Sequence, residues 1–152
     1  MKVDPDLKWF DPNIPGFCAL TGPYEFARTD DGRSLMRMTI AEQHLNAGGV
    51  CHGGAIVTLA DMAMGFTAHV ASGHKMTATM QLESKFLSAG KLGDTIIAEA
   101  LLTRHVRDIC FVECIIWSGE RKLFTASGVW KVLTDTQKGE SLISIQKAVQ
   151  TP

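Results

Sequence analysis

Paired cysteines, a charge excess and a metal-binding histidine motif are all missing from this chain, and each absence removes a class of function. No two of the four cysteines, Cys18, Cys51, Cys110 and Cys114, have CxxC spacing, so the usual zinc and dithiol redox sites are not expected and the thiols read as reduced. His44, His52, His69 and His74 fall in no HExxH run or compact ligand pattern, and neither a metal nor a cofactor is expected. Fifteen basic against 16 acidic residues leave a net charge of −1, which gives nucleic acid or an anionic membrane no global attraction. Any phosphate site must be local. Residues 1–16 are polar and proline-punctuated without an apolar core, unlike a secretory signal, so a cytoplasmic protein is the expectation. Repeats and low-complexity tracts are also absent. The 152 residues, 45% of them hydrophobic, suffice for one domain with a sizeable core and fall short of two.

What is present is a glycine-dense loop, Asn46-Ala47-Gly48-Gly49-Val50-Cys51-His52-Gly53-Gly54, running into an almost wholly apolar segment, Ala55 to Ala71. Good helix formers dominate that segment, and its apolar residues cover nearly every face, so it reads as a helix buried nearly all round. It is short for a membrane span and carries Asp61 and His69. Free N–H groups at the start of such a helix, Gly53 and Gly54 among them, suit a developing oxyanion. Asp61 is then a buried carboxylate, either paired within the fold or catalytic, because an uncompensated one costs several kcal/mol. Seven residues separate it from Gly54, about 10 Å along a helix axis. One carbonyl cannot easily touch both groups of one chain, so a shared substrate implies a two-fold dimer with two shared sites. Cys51 beside His52 is a weak candidate nucleophile, since neighbours on extended chain point to opposite faces.

Period-two patterning marks strands on both sides of the helix. Tyr24 to Thr29 and Ser34 to Ile40 flank a hairpin signal, Asp30-Asp31-Gly32. Thr77 to Phe86, Thr95 to Thr103, Ile109 to Trp117 and Lys122 to Leu133 follow, with turn-like connections that include Arg104 to Asp108. In the first of these, Met80, Leu82 and Phe86 share one parity; in the last, Ala126 and Gly128 are small enough to let sheet and helix approach. Two strands, one helix and four strands predict an α+β domain in which an antiparallel sheet of about six strands wraps one long helix. Residues 1–20 read as an irregular arm, 21–135 as the domain and 136–152 as a tail, with a short helix or disorder over 141–150.

Asn46, His52-Gly53-Gly54 and Asp61 within Thr58-Leu59-Ala60-Asp61 together resemble the hotdog-fold acyl-CoA thioesterases, in their PaaI-like branch, over roughly Tyr24 to Leu133. Phe86 to Asp94 is similar to that family's segment joining two central strands. The resemblance implies a hotdog fold, homodimers often paired into homotetramers, and sites at the subunit interface. It implies that Asp61 is general base or nucleophile and that the Gly53 N–H polarises the thioester carbonyl. Asn46 would position water or carbonyl, and His52 would hold the glycine turn or contact the thioester. Thr79 matches the position of an assisting hydroxyl, with Thr where some relatives have Ser.

Thioester hydrolysis suits these residue types, since it needs a base or nucleophile and an oxyanion donor while the thiolate leaves readily. With CoA as the implied substrate, basic groups belong near the pocket mouth. Arg104, His105 and Arg107 are the candidates, with Lys85 and Lys91 behind them, and Gly54 joins them among substrate-binding residues. A non-catalytic acyl-CoA-binding or regulatory hotdog protein is the alternative, though a binder has no need of Asp61. A hotdog hydratase or dehydratase is a third, without its His-Phe-Pro-type signature here.

Overall fold

A computed structural model of the chain describes residue 4 and residues 6–134, so the helix expected over 141–150 lies outside the described residues. The alternating runs form six strands, β1 (Glu25–Arg28), β2 (Ser34–Thr39), β3 (Thr77–Phe86), β4 (Thr95–Val106), β5 (Ile109–Ser118) and β6 (Arg121–Val132). They pair antiparallel in one sheet of order β1-β2-β4-β5-β6-β3. The sheet curls around a 19-residue helix, α2 (Gly53–Ala71), which packs on β2 through β6. By length and composition alone α2 could cross a membrane; in this fold it is the core helix.

One face of α2 supplies the core. Ile56, Leu59, Ala60, Ala63, Met64, Thr67 and Ala68 are buried against Ile96, Ala98, Val112, Ile116, Phe124 and other inward residues of the sheet. Each large apolar side chain so removed from water contributes about 1.5–3 kcal/mol. Cys110 and Cys114 are among these packers, and burial pushes the Cys114 thiol up to about 12. The expected all-round burial does not hold within one chain. Thr58, Asp61, Met62, Gly65, Phe66 and His69 form a stripe that is only partly buried, because the sheet packs on the face of Ile56, Leu59, Ala60, Ala63, Met64, Thr67 and Ala68.

Three further expectations are corrected. Arg104, His105 and Val106 continue β4, and Arg107-Asp108 alone make the turn into β5, with Arg107 at φ 54. Their polar run mimics a loop because this hairpin end is solvent-exposed. In β3 the register slips at Met80: Thr79 pairs with Trp130 and Gln81 with Val129. This bulge removes Met80, 63% exposed, from the face it was expected to share with Leu82 and Phe86. It also lets Thr79 and Leu82 face the same side, since their partners Trp130 and Gly128 do. The space at Gly128, expected to admit the helix, is taken instead by Trp130, whose ring lies 2.6 Å from where a Gly128 Cβ would be.

The described part of the N-terminal arm is held on the domain by local contacts. Phe10 bridges Phe26 through two backbone hydrogen bonds and sets its ring edge-on at 5.2 Å, and the Arg37 guanidinium lies over the Trp9 ring. A five-residue helix, α1 (Phe17–Thr21), follows.

Candidate active site

The glycine loop is organised by its own polar side chains. Asn46 Oδ1 accepts the N–H of Gly48 at 2.8 Å and, more weakly, that of Val50 at 3.4 Å. Its backbone closes the same turn by pairing with Val50 and Gly49, where φ reaches 76°. Asn46 is thus tied to loop geometry through its oxygen, while its amide nitrogen has no hydrogen bond among the described residues. His44, read from sequence only as a structural or solvent-facing histidine, is 3% exposed and uses both ring nitrogens. Nδ1 accepts the Ala41 N–H, so Nε2 carries the proton and donates to the Thr21 carbonyl at 3.0 Å, pinning the end of α1.

His52 is the N-cap of α2, and its Nδ1 accepts the Gly54 N–H at 2.9 Å. Of the two roles expected for His52, holding the glycine turn is the one this geometry performs. It consumes the Gly54 donor. The Gly53 N–H, by contrast, meets no acceptor among the described residues and stands at the positive end of the helix. Replacing His52 with Ala should lower stability by about 0.5–2 kcal/mol, while His52→Asn, which can still cap, should keep most of it. The midpoint of urea unfolding measures both; equal midpoints for His52→Ala and wild type would remove the capping role.

Cys51 is buried and desolvation pushes its thiol up to about 11, which disfavours the thiolate that a nucleophile needs. His52 next to it is exposed, as alternation along extended chain requires.

Asp61 sits on the open stripe of α2, only half-buried, so the heavy desolvation expected for it is absent within one chain. Thr79 Oγ1 donates to Asp61 Oδ1 at 2.8 Å, and the bulge after Thr79 gives it that aim. Beside this pair opens a largely apolar pocket of about 220 Å³, with Met62, Gly65, Phe66 and His69 from α2, Trp130 from β6 and Ile14 and Cys18 from the arm. Burial first, and then the negative charge of Asp61, hold the Cys18 thiol above its usual range. Gly53 is eight residues before Asp61, about 12 Å along the axis, and faces the Phe86 ring. His52 and Gly54 border a separate hollow with Phe17, Leu20 and Thr58. Within one chain, then, Asp61 and Thr79 come together, and Asn46, His52 and Gly53 form a second group apart from them.

The basic candidates are not at either group. Arg104, His105 and Arg107 are exposed at the β4–β5 end, where His105 pairs with Cys110 and Cys110 Sγ lies 3.9 Å from the Ala68 carbonyl. That is the far end of α2 from the glycine loop. Lys85 is on the solvent face of β3, 3.4 Å from Glu83, and Lys91 is exposed in the following turn. Sequence reading missed the pocket roles of Ile14, Cys18, His69 and Trp130. The i, i+4, i+8 spacing of Asp61, Gly65 and His69 was a usable signal for one of them; Trp130 had none.

A six-stranded antiparallel sheet around a single long helix, with a conserved geometry in solved relatives, is the hotdog fold. The chain belongs to the thioesterase superfamily, whose family model matches residues 48–125. A Pseudomonas aeruginosa protein provisionally named an esterase is 33% identical over 113 residues, 73% of this chain and 84% of its own length. The acyl-coenzyme A thioesterase PaaI of Escherichia coli is 31% identical over 88 residues, 58% of this chain and 61% of PaaI. Its solved structure superimposes with a TM-score of 0.69 at 22% identity, over 78% of this chain and 86% of that one. A hypothetical thioesterase from Streptococcus pneumoniae, solved with coenzyme A, gives 0.65 at 28% identity, over 72% and 87%. That protein has also been solved with an aspartate, and separately a threonine, replaced by alanine.

Proposed function

We propose that this protein hydrolyses acyl-CoA thioesters and does so as a homodimer with two sites shared between subunits, two such dimers pairing into a tetramer. The observation that carries the reading is the Asp61 carboxylate, held by Thr79 at the mouth of an apolar pocket on the face of α2 that its own sheet leaves open. With Oδ1 occupied by Thr79, Oδ2 is left to take a proton from water. The hydroxide adds to the thioester carbonyl carbon, the C–S bond breaks, and the CoA thiolate leaves and recovers the proton from Asp61. If Asp61 itself attacks, the same bonds break by way of an acyl anhydride that water opens.

The tetrahedral oxyanion needs a donor about 3 Å away, and the Gly53 N–H has the freedom for that role. The 12 Å helical offset argues that this N–H comes from the partner's Gly53. Asn46, in the same loop, would bring its unpaired amide nitrogen to the water or the carbonyl. A second subunit also has a place to pair: β3 is a ten-residue terminal strand, and its Met80 and Phe86, with Leu87 just past its end, are all more than half exposed. The coenzyme A in the Streptococcus pneumoniae relative and the activity named for PaaI support the substrate class. Within one chain Arg104, His105, Arg107 and Lys85 stand away from Asp61, so a role in gripping CoA phosphates would also have to be played across subunits.

Release of free CoA thiol from short, long and aromatic acyl-CoAs tests the proposal, and steady turnover of at least one class is expected. Binding of the whole panel without turnover would instead favour an acyl-CoA-binding protein.

A further inference from the structure

The first turn of α2 opens with two adjacent glycines, the residues with the most backbone freedom to lose, yet an oxyanion donor works only when its direction is fixed. The Gly54 N–H is held by His52 Nδ1. For Gly53 the direction comes from its peptide plane. The His52 carbonyl accepts from the Ala55 N–H at 3.0 Å and the Ile56 N–H at 3.3 Å, and in a trans peptide the N–H points opposite to the carbonyl. The Gly53 N–H is therefore turned out of the helix start. A contact from the end of β3 opposes any swing of that plane. The Phe86 ring presents its tip to Gly53, with Cε1 and Cζ 3.1 and 3.2 Å from where a Cβ would be. Any side chain at Gly53 would meet that ring, so the missing Cβ is what lets the ring lie this close to the backbone.

The ring is itself anchored. It meets the fully buried Phe124 edge-on, with 5.0 Å between centroids and 67° between planes. Phe86 and Phe124 are also register partners in the β3–β6 pair, and the Leu87 and Ser88 N–H groups both donate to the Leu123 carbonyl, at 2.8 and 3.2 Å. Two residues further on, the Gly90 carbonyl accepts the Cys51 N–H at 2.9 Å. The chain leaving β3 thus grips the glycine loop on both sides of His52, by a hydrogen bond at Cys51 and by a ring at Gly53. Phe86 is 56% exposed within the chain, so these contacts hold it in place and general burial does not. We propose that Phe86 is a positioning residue for the oxyanion donor, its ring buttressing Gly53 so that the N–H keeps one direction toward a thioester carbonyl. This rests on the thioesterase reading and adds to it a residue that acts through Gly53 and not on the reacting atoms.

Removing the ring should loosen the donor without deleting it. Loss of an oxyanion donor costs about 10²–10³-fold in kcat, so Phe86→Leu, compared with wild type in the same assembly state, should lower kcat by roughly 10-fold and leave KM within about two-fold. Gly53→Ala sets a methyl against the ring and should also be slow. Joined to Phe86→Leu it should regain several-fold over Gly53→Ala alone, because the methyl fills space that the ring has left. Wild-type kcat in either single variant, an effect confined to KM, or losses that simply multiply in the double variant would overturn the buttress and leave the thioesterase reading standing. A second readout needs no turnover. In the nitrogen-15-labelled protein the order parameter of the Gly53 amide should lie near the rigid value of about 0.85 and drop toward about 0.6 in Phe86→Leu, while that of Ile56, one turn on, stays unchanged. An unchanged Gly53 value overturns the proposal as well. If Phe86→Leu does not fold, Phe86→Met, closer in volume, takes its place in every comparison. Failure of the wild type to hydrolyse any acyl-CoA sinks the thioesterase reading, and the Gly53 order parameter then decides on its own whether Phe86 holds that residue.

Discussion

Asp61→Asn should lower kcat by about 10²-fold or more while leaving the fold and its assembly unchanged, because it removes a positioned acid–base group and little else. Asn matches the carboxylate in shape and can still accept the Thr79 hydrogen bond through its amide oxygen, so the pocket wall should persist. The half-buried position of Asp61 sharpens the test, since no large desolvation cost is relieved or created by the exchange. Unfolding midpoints should therefore match within a few tenths of a kcal/mol while thiol release collapses. Wild-type turnover in the variant would end the catalytic assignment of Asp61. Asn46→Ala should do less harm to chemistry per molecule, although loss of the Gly48 bond would also loosen the loop.

Mixed dimers should recover activity that neither parent has. Asp61→Asn lacks the base, and Gly53→Pro lacks the donor N–H, a change tolerated at the first position of a helix. If each site draws Asp61 from one subunit and Gly53 from the other, a mixed dimer holds one intact site and one doubly damaged site. Its activity should approach half that of wild type per dimer. If both groups served from the same chain, every site in the mixture would carry one lesion and no activity would return. Isolating the mixed species by two affinity tags makes the comparison direct, and the Gly53 variant must first be shown to fold. Complementation would also explain why Asp61 lines one hollow of the chain while His52 and Gly54 of the glycine loop border another.

Much of the fold was legible because burial on one side writes a period into the chain. Thr77–Phe86 was bounded correctly, and α2 begins only two residues before the apolar segment that announced it. The signal failed wherever both sides of a segment are wet or the surroundings are tertiary. Arg104 and His105 looked like loop because strand residues past the edge of the core carry no alternation. The apolar faces of α2 were read as buried all round, since composition cannot say how far a sheet will wrap. α1 has five residues, Gly16 at its start with φ 74, and no side-chain cap, so no local cue announced it. In the site, Asp61 and the glycine loop stood out by contrast with their neighbours. The pocket-lining role of Trp130 did not, because which side chain borders a hollow is a property of packing that no spacing encodes.

The extra residue at Met80 works as a phase shifter within a single strand. Ahead of it, Thr77 and Thr79 look toward the pocket; behind it, Leu82, Ser84 and Phe86 take over the same face of the sheet. One segment can thus present Thr79 to the carboxylate and still keep its apolar residues on the helix side, which strict alternation would forbid. Removing that one residue would turn over everything on one side of it, sending either the hydroxyl or the apolar anchors outward. Transplanting this strand between related chains is therefore a matter of counting before it is a matter of likeness, and an alignment that closes the gap at Met80 would pair residues with opposite aims.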